Sequence, residues 1–148
     1  MTTLSPAVTL PDHPVDDLVH ALAADLITYL ETGEPPEGLF TPHVFCDFTM
    51  PLWRLQARGV DDVLRLRHQG HPAPGRVPRA RLDTTGTGFL LEVEEEWDHD
   101  GGSWYCRELI RGDVSDGAVS EISGDCTGDW DRARAARRAA QAHLLLRS

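Results

Sequence analysis

A chain of 148 residues with 41% apolar content holds enough hydrophobic mass for one core without metal or disulfide support. The formal net charge of −10 excludes a sequence-independent grip on nucleic acid or on an anionic membrane, because both depend on cationic side chains that neutralise phosphate. Three cysteines, Cys46, Cys106 and Cys126, form an odd set without metal-ligand spacing, which points to reduced thiols in a cytoplasm and away from a disulfide framework or zinc knuckle.

The first fourteen residues lack a basic n-region and an apolar h-region, and no apolar run is long enough to span a bilayer, so a cytoplasmic location is expected. Residues 1–14 read as an N-terminal arm. From Val15 to Glu31, Leu18, Val19, Leu22, Leu26, Ile27, Tyr29 and Leu30 recur at helical spacing, with Asp16 and Asp17 at the positive end of the helix. Thr32 to Gly38 stops that helix, and Leu39 and Phe40 are expected in a short helical turn plugging one end of the core. His43 to Met50 reads as a strand closed by Pro51, which has no amide hydrogen to give to a ladder.

A second helix is predicted from Val60 to Gln69, buried on the face of Val60, Val63, Leu64 and Leu66. The stretch after it reads as a meander of four strands, Val77–Asp83, Gly88–Trp97, Trp104–Val114 and Ala118–Cys126, separated by turns rich in Asp and Gly. Asp129 to Arg147 closes the chain as an Arg- and Ala-rich helix, with Ala135, Ala139, Ala142 and Leu146 as its packed stripe. One domain is therefore expected over 15–130, followed by a helical tail over 131–148.

This order of elements, together with the segments Leu39 to Pro51, Gly59 to Leu64, Val114 to Val119 and Cys126 to Trp130, resembles the nuclear transport factor 2-like superfamily, most of all its SnoaL-like branch of polyketide cyclase and ketosteroid isomerase type. The resemblance implies an α+β fold in which a curved antiparallel or mixed sheet wraps around N-terminal helices as a cystatin-like cone, with a C-terminal helix. It also implies a deep apolar pocket and a homodimer formed through the outer sheet face. The superfamily holds isomerases, epoxide hydrolases, dehydratases, cyclases and non-catalytic binders, so it supplies a range of reaction types and no single one.

Many enzymes of that superfamily resemble one another in using an aspartate just before the strand-ending proline, a position held here by Met50. By the period of two, Cys46, Phe48 and Met50 face inward, and Phe45, Asp47 and Thr49 outward. In the central hairpin, Leu91, Val93, Glu95 and Trp97 share a side, as do Trp104, Cys106, Glu108 and Ile110. If Trp97 pairs near Trp104, these sides coincide, Glu95 and Glu108 become the inner acidic residues, and Glu94 and Glu96 approach Arg107 outside.

Two carboxyls in an apolar site do not ionise equally, so one stays an acid beside a carboxylate base, the combination that moves a proton next to a carbonyl or removes water. The competing reading puts the glutamates at the mouth, exposed or paired with an arginine such as Arg67. His68 and His71, after the second helix, are further acid–base candidates. Trp53 and Arg54 are placed at the pocket edge, and Cys46, Phe48, Met50, Trp53, Trp97, Trp104, Cys106 and Ile110 form the expected substrate-binding wall. The cysteines are read as packing thiols. No cofactor and no metal is expected, since metal ligands would have to be brought together by folding alone. Two functions follow: an acid–base enzyme acting on a small apolar or aromatic metabolite, or a binding protein with the same cone.

Overall fold

The computed structural model describes residues 14–142. The N-terminal arm expected over 1–14 therefore falls outside the described residues except for Pro14, and so do Leu146 and Arg147 of the tail. Helix α1 spans Pro14–Thr32 and ends where Gly33, at φ 77°, gives its N–H to the Tyr29 carbonyl at 2.8 Å, a left-handed cap. Its buried side is Val19, Leu22, Ala23, Leu26, Tyr29 and Leu30.

A turn at Glu37 and Gly38 follows, and Phe40 already belongs to strand β1, Phe40–Met50. The helical turn expected at Leu39 and Phe40 is thus corrected: the Leu39 carbonyl accepts the Val119 N–H at 2.8 Å, and sheet pairing overrides local preference. Pro51 ends β1 as expected, but the chain reverses over Pro51 and Leu52 into β2, Trp53–Arg58, a strand the sequence reading did not assign. Gly59, at φ 86°, turns the chain into α2, Val60–Gly70.

Strands β3 (Gly75–Thr84), β4 (Gly88–His99), β5 (Gly102–Ser115) and β6 (Ala118–Cys126) form the meander. Positive φ at Asp100, Gly101, Asp116 and Gly117 matches the turns expected between them. The short β7, Trp130–Asp131, pairs with β5 and leads into α3, Arg132–Gln141, whose first turn is capped by the Asp131 carboxylate.

The sheet order is β2-β1-β6-β5-β4-β3, with β1 parallel to β6 and the other neighbours antiparallel. It is a curved, unclosed mixed sheet whose concave side holds α1 and α2, the expected α+β cone. Phe89, Leu91, Val93, Ile110, Val119 and Ile122 meet α1 in the core; each such side chain contributes about 1.5–3 kcal/mol by leaving water. Among the described residues no helix is long and apolar enough to cross a membrane.

The opposite face is a ladder of charge. Arg107 reaches diagonally to Glu92, Glu94 accepts from the Tyr105 hydroxyl at 2.8 Å, and Glu96 binds Arg76 at 3.2 Å and Arg132 at 2.9 Å. Glu94 lies directly across from Arg107 in the β4–β5 pairing, as the expected register has it, although the guanidinium makes its ion pair with Glu92. The α3 arginine Arg132 meets the protein's own acidic surface, but no residue of α3 is buried, so the expected alanine stripe is corrected to a half-buried Ala135.

Gly124 gives room to a cavity wall. A Cβ there would lie 2.5 Å from Cε1 of Phe48, the aromatic ring of β1 that packs over it. Gly124→Ala is expected to lower stability by about 1–3 kcal/mol, read by thermal denaturation, because ring or strand must move; an unchanged melting temperature would show that Phe48 has space to spare.

Candidate functional site

The site forms where α2 and the loop after it close over the concave face of β1, β4 and β5. The pairing of Trp97 with Trp104 carries Glu95 opposite Cys106 and Val93 opposite Glu108. That register is the one on which the inward reading of the glutamates depended, and both are 3% exposed.

Glu95 is bound by Arg67 of α2 through two contacts, Nη2 to Oε1 at 2.5 Å and Nη1 to Oε2 at 3.3 Å. Nη2 of Arg67 also donates to the Leu30 carbonyl at 2.7 Å, tying α2 to the end of α1. Burial works against the Arg67 charge, but Glu95 and Glu108 outweigh it and hold the guanidinium protonated. Thus the pairing with Arg67 and the burial of Glu95, which belonged to competing readings of the sequence, occur together.

Glu108 differs from Glu95. Its Oε2 is buried without a hydrogen-bond partner, and its Oε1 lies 3.8 Å from the Cys106 thiol, which also lies 3.7 Å from Glu95 Oε2. Burial first, and the neighbouring Glu95 second, raise the Glu108 carboxyl well above the usual range, so it is held as the neutral acid.

His71 lies just after α2, its backbone N–H bonded to the Arg67 carbonyl at 2.8 Å and its ring against Trp97 with centroids 4.3 Å apart. Burial pushes its imidazole down to about 4, Arg67 adds to the effect, and Glu95 opposes it. The ring is neutral at neutral pH. Its Nε2 is 3.9 Å from Oδ1 of Asp129, expected as the start of the terminal helix but found in the β6–β7 loop, because pairing of Trp130 and Asp131 with β5 delays the helix to Arg132. Spacing along the chain gives no signal for Asp129, since the loop is brought to the mouth by its flanking strands β6 and β7, both paired with β5.

An inner cavity of about 70 Å³ is lined by Cys46, Phe48, Met50, Arg67, His71 and Glu108, among others, and shares Met50, Gly70 and His71 with an outer basin of about 290 Å³ that also has Pro51, Leu52, Trp53, Gly128 and Asp129 in its wall. The inner space is several times what one water requires. Cys46, Phe48 and Met50 thus face inward as expected.

The rest of the expected wall is redistributed. Trp53 is 66% exposed at the outer rim. Trp97 stands behind His71, and Cys106 between the two carboxyls. Ile110 is fully buried in the core and is not part of the inner cavity's lining; it lies two residues beyond Glu108 on the same face of β5. Trp104 lines a separate groove beside Trp130 and α3. Arg54 turns outward to Asp47, with Nε to Oδ1 at 3.0 Å and Nη2 to Oδ2 at 2.8 Å, so it is not a pocket group.

His68 is exposed, one position past Arg67 and off the helix face that meets the sheet, so its proposed acid–base role is withdrawn. His68→Ala is expected to leave stability within about 0.5 kcal/mol in a denaturant titration; a larger loss would reveal a contact at that surface.

The cysteines also separate. Burial pushes the Cys46 thiol up to about 12, whereas a hydrogen bond from Cys106, aided by the Gly128 N–H at 3.3 Å, brings the half-buried Cys126 down to about 7. Among the described residues, donor atoms of His71, Glu95, Cys106 and Glu108 lie within 4.8 Å of one another. A cation entering that cluster would meet the Arg67 guanidinium already seated on Glu95, so the negative charge there is answered by a side chain.

No protein-family model and no curated protein matches the sequence. Solved structures share the fold. An NTF2-like protein from Anabaena variabilis superposes with a TM-score of 0.65 at 14% identity, over 80% of this chain and 92% of that one. A candidate ketosteroid isomerase from Kribbella flavida gives 0.55 at 19% identity, over 89% of this chain and 90% of that one. A candidate polyketide cyclase from Xanthomonas campestris gives 0.58 at 11% identity, over 74% and 90% respectively. At these identities the likeness is one of fold, and the fold is the one the sequence resemblance implies.

Proposed function

We propose that the protein is an acid–base enzyme acting on a small, largely apolar metabolite, with isomerisation, dehydration or cyclisation as its reaction class. The observation that carries this reading is the buried Glu108 carboxyl, which presents an unpartnered oxygen at the cavity. A buried acid without a partner is a cost to the fold, and a substrate oxygen is the partner that would relieve it.

The roles follow from the surroundings. Glu108 is the neutral acid and gives its proton to a substrate oxygen. Glu95 is engaged by Arg67, which leaves His71 as the uncharged acceptor that takes a proton from carbon or hydroxyl. A base with a pKa of about 4 has carboxylate strength, yet brings no net charge into the apolar cavity before it reacts. In an isomerisation His71 returns its proton at another carbon while the proton on the substrate oxygen goes back to Glu108; in a dehydration the hydroxyl protonated by Glu108 leaves as water and the proton held by His71 restores Glu108. Fold neighbours described as a candidate ketosteroid isomerase and a candidate polyketide cyclase support this class of chemistry without naming a substrate.

The second reading, a binding protein, is favoured by the Arg67–Glu95 pair, which neutralises one of the two carboxyls. Deuterium exchange separates the two. Candidate carbonyl metabolites incubated with the enzyme in D2O should gain deuterium at the position next to the carbonyl, and Glu108→Gln should suppress the gain; tight binding without any exchange would favour the binder. We also propose the homodimer and the cytoplasmic location implied by the sequence, to be tested by light scattering and cell fractionation.

A further inference from the structure

The mouth of the site has a charge imbalance that appears once its groups are counted by element. His71 faces Arg67 from α2, Glu95 from β4, Cys106 and Glu108 from β5, and Asp129 from the β6–β7 loop. The β1–β2 turn adds Met50, Pro51, Leu52 and Trp53, none of them charged. Glu95 is taken by Arg67, and Glu108 is neutral. When His71 accepts a proton while Glu108 still holds its own, Asp129 is the carboxylate beside the ring that answers the new charge.

The geometry suits that role. His71 lines both the inner cavity and the outer basin, whereas Asp129 lines only the outer one, with its side chain 42% exposed against 10% for His71. The imidazole is held from behind by Trp97 and at its backbone by Arg67. On the other side of the mouth the loop is fixed too: Thr127 N–H bonds the Arg107 carbonyl at 3.0 Å, Gly128 N–H bonds Cys126, and Trp130 Nε1 donates to the Thr127 carbonyl at 3.3 Å. The gap of 3.9 Å from Nε2 to Oδ1 is longer than a hydrogen bond and closes with a small shift of either side chain.

We infer that Asp129 is a positioning residue for His71: its carboxylate fixes the imidazole hydrogen on Nε2, leaves Nδ1 as the acceptor, and stabilises the imidazolium formed when the ring takes a proton. This rests on the acid–base reading for its purpose but is measured without any substrate. A carboxylate on one ring nitrogen sets the tautomer of the other, as second partners of histidine do in catalytic sites.

The test is long-range 1H–15N NMR on protein labelled in its histidine rings, with His71 assigned by His71→Gln. At neutral pH the wild-type ring should show one neutral tautomer, Nε2–H, and Asp129→Ala should convert it to a mixture, while Asp129→Glu restores the preference. Glu108→Gln should leave the tautomer as it is. Ring shifts in Asp129→Ala identical to wild type, or a wild-type ring carrying its hydrogen on Nδ1, would overturn the assignment. Failure of the acid–base reading would instead appear as undiminished turnover in Glu108→Gln, with the tautomer result untouched.

Discussion

Glu108→Gln is expected to reduce turnover of the physiological substrate by about 10²–10⁴-fold, the usual contribution of a positioned general acid, while the fold survives. Glutamine keeps the shape and places an amide where the neutral carboxyl stood, so the cavity walls Phe48 and Met50 have no reason to move. Unchanged turnover in the purified variant would remove Glu108 from the mechanism.

The same substitution has a signature in stability that needs no substrate. Burial raises the Glu108 carboxyl in the folded protein, whereas the unfolded chain ionises in the ordinary carboxylate range. Between those two pKa values the folded state binds the proton more tightly, so its contribution to stability is complete below the unfolded pKa and is lost as pH rises toward the folded one. Glu108→Gln removes that loss. Denaturation series of wild type and variant should therefore diverge as pH rises above about 4.5, with the variant the more stable. A difference that does not depend on pH would mean that Glu108 is not held as an acid.

Arg67→Met is expected to be the most damaging single change to the fold among these residues. It would strip the buried Glu95 of both its contacts with Arg67 and remove the donor to the Leu30 carbonyl, so that a carboxylate only 3% exposed would stand without a cation. Breaking one side of such a pair costs about 3–5 kcal/mol, which for a domain of this size lowers the melting temperature by roughly 10 °C. Replacing both members, Arg67→Met with Glu95→Gln, should recover most of the loss, because the desolvated charge disappears along with its partner. A single variant as stable as wild type would show that water reaches Glu95 freely.

The alternation of β4 and β5 put Glu95 on the apolar side of one strand and Glu108 on that of the other, but a one-residue slip would turn a strand over, so their meeting on the inner face waited on the Trp97–Trp104 pairing that the structure shows. Strand β6 was legible to the residue, because Asp116-Gly117 marks its start and its alternation is regular. Strand β2 was not, because Trp53 to Arg58 lies at the sheet edge with Trp53, Arg54, Gln56 and Arg58 exposed, and so carries little hydrophobic pattern.

What the sequence determined by itself is the set of faces: which residues of each strand share a side, where α1 and α2 bury their apolar sides, and which two carboxyls fall on the apolar side of the central hairpin. Hydrophobic periodicity is a local property, and it acts on every residue of an element together. Tertiary structure alone decided how those inward groups differ. The seating of Arg67 on Glu95, the unpartnered oxygen of Glu108, the exclusion of His68 and the arrival of Asp129 beside His71 all depend on contacts between elements distant in the chain. Charge in a low-dielectric interior is governed by neighbours a few ångströms away, and those neighbours exist only once α2, the central hairpin and the β6–β7 loop have come together.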